Sequence, residues 1–180
     1  MAETANATAR PLPSCRLLTG LTAIKVSRFV SDTSVHTAMQ SVGMAFPLTP
    51  GELSGSGPWL VWLNPREALA LGPDAAPLRQ LLATLAPGRS ETAMAVDVSD
   101  SFATFELQGP RLENWLSHVV DASAIPPEAG RATRCRLIDI PVMLLRLNHE
   151  CLWLIADRPL GPYLEDWLAY AHVGAFAGSS

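Results

Sequence analysis

Lysine is almost missing from this chain. Of thirteen basic residues only Lys25 is a lysine, and no basic run or basic–aromatic stripe occurs, so the electrostatic footprint of a nucleic-acid-binding protein is lacking. Cysteine is scarce as well. Cys15, Cys135 and Cys151 are odd in number and form no C-x-x-C pair, which leaves zinc ribbons, iron–sulfur sites and disulfide frameworks without support. Cys135 and Cys151 lie in apolar strand patterns and read as core. No stretch approaches the roughly 18 apolar residues of a membrane span, and residues 1–14 are polar and Ala/Thr-rich, unlike a secretory leader. The expectation is a bacterial cytoplasmic protein with no membrane and no nucleic-acid partner. Charge is thin too, at 17% of residues against 48% hydrophobic, with a net charge of −4. Soluble domains average about a quarter charged. A large core or a surface covered by partner subunits would each account for that.

The signatures of chemistry are equally sparse. Gly51, Gly55 and Gly57 share a loop, but no G-x-G-x-x-G opens a helix and no Walker lysine exists. His36, His118, His149 and His172 share no ligand spacing and read as structural. Ser99 has no G-x-S-x-G context. Asp97 and Asp100 bracket a strand end and could form an acid–base pair, although an Asp bonding its own backbone in a turn is the commoner use. The five tryptophans sit among Leu, Val and Ile and read as core or interface. No catalytic, cofactor-binding or metal-ligating residue is assigned to this chain.

What the chain does have is pattern. Val96 and Val98 alternate with Asp97 and Ser99, which predicts a strand ending in a polar turn. Ala103, Phe105 and Leu107 form the apolar face of a second strand, ended by Gly109-Pro110, with Pro110 suited to the first turn of a helix. Residues 111–120 place Leu112, Trp115, Leu116 and Val119 on one helical face. Asp97, Ser99, Asp100, Gly109 and Pro110 are the structural motif of this central stretch, which reads as the junction of two halves. Upstream, residues 21–30 predict a strand. Asp32 or Thr33 could cap a helix to about Gly43 with Val35, Ala38, Met39 and Val42 inward. Residues 47–58 read as loop, and Trp59–Leu63 as a buried central strand with a hairpin partner at 67–71. A helix over 75–86 and a strand over 92–98 follow. Downstream, strands are predicted at 132–138, 140–147 and 151–156, then a helix over 160–172.

The fold class is therefore α+β, with two pseudo-repeated ferredoxin-like halves of the βαββαβ type, sheet on one side and helices on the other. The domain covers 17–172, with halves of about 17–98 and 99–172, between flexible tails at 1–16 and 173–180.

Four segments resemble one family. Trp62-Leu63-Asn64-Pro65-Arg66-Glu67-Ala68-Leu69 resembles the W-L-G-P-D-E-W-L segment of the gamma subunits of heterotetrameric sarcosine oxidase. Asp97-Val98-Ser99-Asp100 with Leu107-Gln108-Gly109-Pro110, Thr133–Val142, and Tyr163-Leu164-Glu165-Asp166-Trp167-Leu168 resemble its further segments in the same order. Asn64 and Ala68 depart from the family's usual Gly and Trp. The resemblance implies a fold similar to the folate-binding domain of glycine-cleavage T-protein. It also implies a non-catalytic gamma chain beside alpha, beta and delta subunits, which would carry FAD, FMN, NAD, tetrahydrofolate and zinc, in a complex that oxidatively demethylates an N-methyl amino acid. A stand-alone folate-binding protein of the T-protein or iron–sulfur-maintenance type is the alternative, although the K-G-C-Y-x-G-Q segment of the latter is lacking.

Overall fold

A computed structural model describes residues 12–29 and 33–176. One sheet contains β2 (Thr22–Arg28), β3 (Leu53–Ser54), β4 (Trp59–Asn64), β5 (Glu67–Gly72) and β6 (Ala93–Asp97), in the spatial order β3-β4-β5-β2-β6. The other contains β1 (Ser14–Leu18), β7 (Phe102–Gln108), β8 (Arg131–Leu137), β9 (Ile140–Asn148) and β10 (Cys151–Asp157), in the order β1-β7-β10-β9-β8. The strand pairs within both sheets are antiparallel. The helices are α1 (Thr33–Gln40), α2 (Ala75–Thr84), α3 (Leu112–Leu116) and α4 (Gly161–Phe176).

The central strands explain the layering. In β5, Ala68 and Ala70 face a core shared with Leu78 and Leu81 of α2, while Leu69 and Leu71 face the opposite way. In β10, Leu152, Leu154 and Ala156 face α3 and α4, while Cys151, Trp153 and Ile155 face the other sheet. Strands apolar on both faces must be covered on both. The result is helix, sheet, sheet, helix, with a middle core of Val61, Leu69, Leu71, Met143, Leu145 and Trp153. This corrects the expectation of sheet on one side and helices on the other. The sheets also meet at one edge. Glu52 bridges Arg131, Leu53 N–H donates to Gly130 O at 3.0 Å, and Ala132 N–H donates to Gly51 O at 2.9 Å.

Several boundaries differ from the sequence reading. Strand β1 begins at Ser14, inside the stretch read as a tail, because its backbone pairs with β7 from Ser14↔Gln108 to Leu18↔Thr104. A cut near residue 98 therefore does not separate the sheets. Each sheet has five strands, so neither is a four-stranded βαββαβ unit by itself. Helix α4 runs to Phe176 rather than ending at 172, held by burial of Phe176 against His172. Helix α3 starts at Leu112, not at Pro110, because Arg111 takes a left-handed conformation (φ 63°). The loop over 47–58 contains β3. Asp32 and the ends 1–11 and 177–180 lie outside the described residues, and Thr33 is the first residue of α1; Val35, Ala38 and Met39 are buried as expected.

Candidate functional site

The junction between the sheets is built from the turn after β6. Asp97 Oδ1 accepts from the Ser99 N–H at 2.9 Å and from the Ser99 hydroxyl at 2.6 Å. The Ser99 hydroxyl, followed by its N–H, holds the Asp97 carboxyl below its ordinary range. The same Ser99 oxygen accepts the Ala23 N–H at 2.9 Å, and Val98 N–H donates to Ala23 O at 2.8 Å. Arg158, just past β10, closes the other side. Its Nε donates to Asp100 O at 2.7 Å and its Nη2 to Ser99 O at 3.0 Å. Asp97 and Asp100 thus do not converge as an acid–base pair; one carboxylate closes an Asx turn and the other is exposed near Arg158 at 3.9 Å. A cavity of about 280 Å³ beside the turn is lined by Thr19, Ala23, Ser99, Asp100, Phe102 and Arg158.

Gly109 and Pro110 belong to a second junction, where the chain entering β1 passes the end of β7. Gly109 has φ 125°, and a Cβ there would lie 2.8 Å from Pro13 Cα. Only glycine tolerates both the backbone and the approach. His172 Nε2 lies 3.0 Å from Pro13 O, and its ring packs edge-on against Trp115 at 5.0 Å. Histidine here joins β1 to α4. His118, in the turn just past α3, bonds back to that helix through Asn114 O at 2.8 Å. Among the described residues no group of three or more His, Cys, Asp or Glu could hold a metal ion, and no helix is long and apolar enough to cross a membrane. Burial pushes the Cys135 and Cys151 thiols up to about 11, with Glu106 adding to the effect at Cys151. Neither is poised as a thiolate nucleophile.

Three features escaped the sequence reading. Arg146 is buried, with Nε donating to Pro126 O at 3.0 Å, Nη1 to His149 O at 3.1 Å and Nη2 to Glu113 Oε1 at 2.5 Å. An arginine in an apolar strand pattern gives no sign of such partners. Glu106 ties three strands together, accepting from Arg16 Nε at 2.8 Å and Trp153 Nε1 at 3.2 Å; the residues are direct cross-strand neighbours. The third feature is surface. Helix α4 carries an aromatic ladder, Tyr163–Trp167–Tyr170, with edge-to-face rings at 6.2 and 5.7 Å, and Tyr170 is 71% exposed. The i, i+4, i+7 spacing was visible in the sequence; that Tyr163 and Tyr170 faced outward, with Trp167 packed partly on the core, was not.

No family model matches the chain. It is 31% identical over 137 residues to sarcosine oxidase subunit gamma of an Arthrobacter species, covering 73% of this chain and 66% of the relative. With the Corynebacterium sp. (strain P-1) subunit gamma it shares 29% over 134 residues, covering 72% and 64%. The match thus spans just under two thirds of these relatives. Among solved structures, the heterotetrameric sarcosine oxidase from Corynebacterium sp. U-96 in complex with pyrrole 2-carboxylate contains a chain with the same fold (TM-score 0.79, 24% identity, 91% of this chain and 85% of that one). The aminomethyltransferase T of the glycine cleavage system from Bartonella henselae shares the α+β fold with a TM-score of 0.60 and 11% identity, over 89% of this chain and 46% of that one. By sequence the chain is a homologue of the sarcosine oxidase gamma subunits, and the solved structures show the fold it shares with them.

Proposed function

We propose that this chain is the structural gamma subunit of a heterotetrameric, flavin-dependent complex that oxidatively demethylates sarcosine or a related N-methyl amino acid. In this reading the alpha, beta and delta chains carry the flavins, NAD, tetrahydrofolate and zinc, and this chain contributes surface rather than reacting groups. Relatedness to the gamma subunits carries the proposal. The physical chemistry of the chain is consistent with it. The strongest polar groups are spent inside the fold: Asp97 on Ser99, Arg146 on two carbonyls and Glu113, and Glu106 on Arg16 and Trp153. The outer face of α4 is aromatic, and Glu165 and Asp166 are the charged residues in its sixteen. Large apolar and aromatic side chains left exposed together on one face mark an interaction surface.

The test is reconstitution. The tagged chain, co-expressed with the alpha, beta and delta chains of the complex, should co-purify with them in fixed ratio, and omitting it should lower the yield of active oxidase. A chain that stays monomeric beside its partners would overturn the proposal. Tetrahydrofolate titrated into the isolated chain by calorimetry should give no submicromolar binding; such binding would favour a stand-alone folate-binding protein.

A further inference from the structure

We propose that the open edge of β8 between Ala132 and Leu137 seats an acidic, extended segment of a partner chain, added as one more strand; this rests on the subunit reading above. Strand β8 is the last of its sheet. Its edge is closed at the start, where Ala132 N–H donates to Gly51 O at 2.9 Å. It is closed again at the end, where Leu137 bridges Val120 and Ile138 N–H donates to Val119 O at 2.9 Å. Strand backbone groups alternate in direction with a period of two. Because Ala132 and Ile138 bond outward, Arg134 presents its N–H and C=O groups outward and Arg136 its N–H, and among the described residues no backbone partner meets these three groups; the Arg136 carbonyl faces Asp121 within the Leu137–Val120 bridge. Such an edge is a template for a further strand.

The side chains say what kind of strand. Arg134 lies opposite Met143 and Arg136 opposite Pro141 in the ladder, so both arginines share the inner face of the sheet with Ala132. A groove of about 460 Å³ opens there, with Phe102, Met143 and Ile155 as its floor, the two arginines on one wall and Asp157 also lining it. A neighbouring cavity of about 360 Å³ shares Arg134 and Met143 and adds Trp62 and Arg131. The Trp62 indole N–H is buried without an acceptor. Among the described residues no carboxylate lies within ion-pair distance of Arg134 or Arg136, in a chain whose net charge is −4. Arg136 instead donates to the carbonyl of Asp139 in its own hairpin. Two unpaired cations at a spacing of two match carboxylates at the same spacing on an added strand. The free backbone groups give register, and the two positive charges give selectivity for carboxylates.

The experiment compares wild type, R134E/R136E and R134K/R136K, each co-expressed with the alpha, beta and delta chains, and reads amide hydrogen exchange at residues 133–136 in the assembled and free wild-type protein. The expected result is at least a tenfold loss of retention in the complex for the charge reversal, near wild-type retention for the lysine pair, and at least tenfold slower exchange at Arg134 and Arg136 on assembly. A folded reversal variant that assembles normally, or amides that exchange equally fast in both states, would overturn the proposal; the arginines would then merely guard the edge. If the reversal variant does not fold, the wild-type exchange measurement decides alone. If wild type itself fails to assemble, the subunit reading falls and this inference with it. If wild type assembles and the edge is unchanged, only this inference falls.

Discussion

The two sheets are built to one plan, and they differ in where the last strand comes from. Read from the shared edge outward, the orders are β3-β4-β5-β2-β6 and β8-β9-β10-β7-β1. In each continuous run of chain, β2–β6 and β7–α4, a helix follows the opening strand (α1 after β2, α3 after β7), and a longer helix follows the hairpin (α2 after β5, α4 after β10). The first sheet then finishes locally, with β6 next in sequence after α2. In the second sheet the corresponding edge is filled by β1, whose Arg16 is 90 residues from its partner Glu106. A sheet position is thus defined by the edge it must cover rather than by chain order. Ordering a distant segment costs more loop-closure entropy than ordering an adjacent one. The second half accordingly has more ties: Glu106 across three strands, His172 on Pro13, Gly109 under Pro13, and Trp115 between α3 and α4.

The strongest way to break this comparison is at Trp115. It is 1% exposed, its indole N–H donates to Leu168 O at 3.0 Å, and its ring meets His172. Trp115→Ala should cost about 3–5 kcal/mol, read as a lowered urea midpoint. Because the sheets share a middle core, both should still unfold in one transition; separate transitions would show that the halves are independent units.

Gly109→Ala sharpens the comparison at β1. The positive φ and the 2.8 Å approach to Pro13 cannot both survive a Cβ, and strain of this type costs about 1–3 kcal/mol. Hydrogen exchange should accelerate at the β1 amides and leave those of β6, its counterpart, nearly unchanged. Equal acceleration at both edges would mean that β1 is not separately anchored.

Ser99→Ala acts where the sheets join. It leaves the Ala23 N–H without its acceptor and the Asp97 carboxylate without a hydroxyl donor, at a cost of about 1–3 kcal/mol. The pH dependence follows from the lowered Asp97 pKa. A carboxyl with a depressed folded pKa stabilises fully above its unfolded value of about 3.9, and that stabilisation disappears as pH falls through the folded value. Ser99→Ala should therefore flatten the loss of stability below about pH 4, measured by urea unfolding from pH 6 to pH 3.

Much of this architecture was legible because most strands carry their burial in their spelling. Ala103, Phe105 and Leu107 alternate, and all three are buried toward the helices. Leu78 and Leu81 mark the inner face of α2 in the same way. What was not legible depended on distant partners. Ser14–Leu18 is a mostly exposed strand of mixed composition, so nothing local distinguishes it from a tail; its order comes from β7 and α4. The face-to-face stacking was hidden because β5 and β10 read as apolar runs, which fit burial against helices or against another sheet equally well. At the candidate site, the Asp97–Ser99 turn was readable from spacing, whereas Arg158, 58 residues from Asp100, was not.

The smallest stability effect tests the helices that correspond between the halves. Helix α2 turns Arg79, Gln80 and Thr84 to solvent, as a helix on a free surface does, whereas α4 turns out Tyr163, Tyr170 and Val173 beside Glu165 and Asp166. Both cover the same kind of sheet face from the same position in the plan, so the fold itself does not require the difference. Tyr170, 71% exposed, meets Trp167 only by an edge, and removing such a residue shifts stability by no more than about 0.5 kcal/mol. Tyr170→Ser and Arg79→Ser should thus be indistinguishable by melting of the isolated chain. In the co-expressed complex they should part, with Tyr170→Ser weakening retention and Arg79→Ser leaving it intact, because a buried aromatic anchor contributes far more to an interface than to the free surface it leaves. Equal retention would mean that the aromatic ladder of α4 stays in solvent and that the cover for this subunit lies elsewhere, with the β8 edge as the next surface to examine.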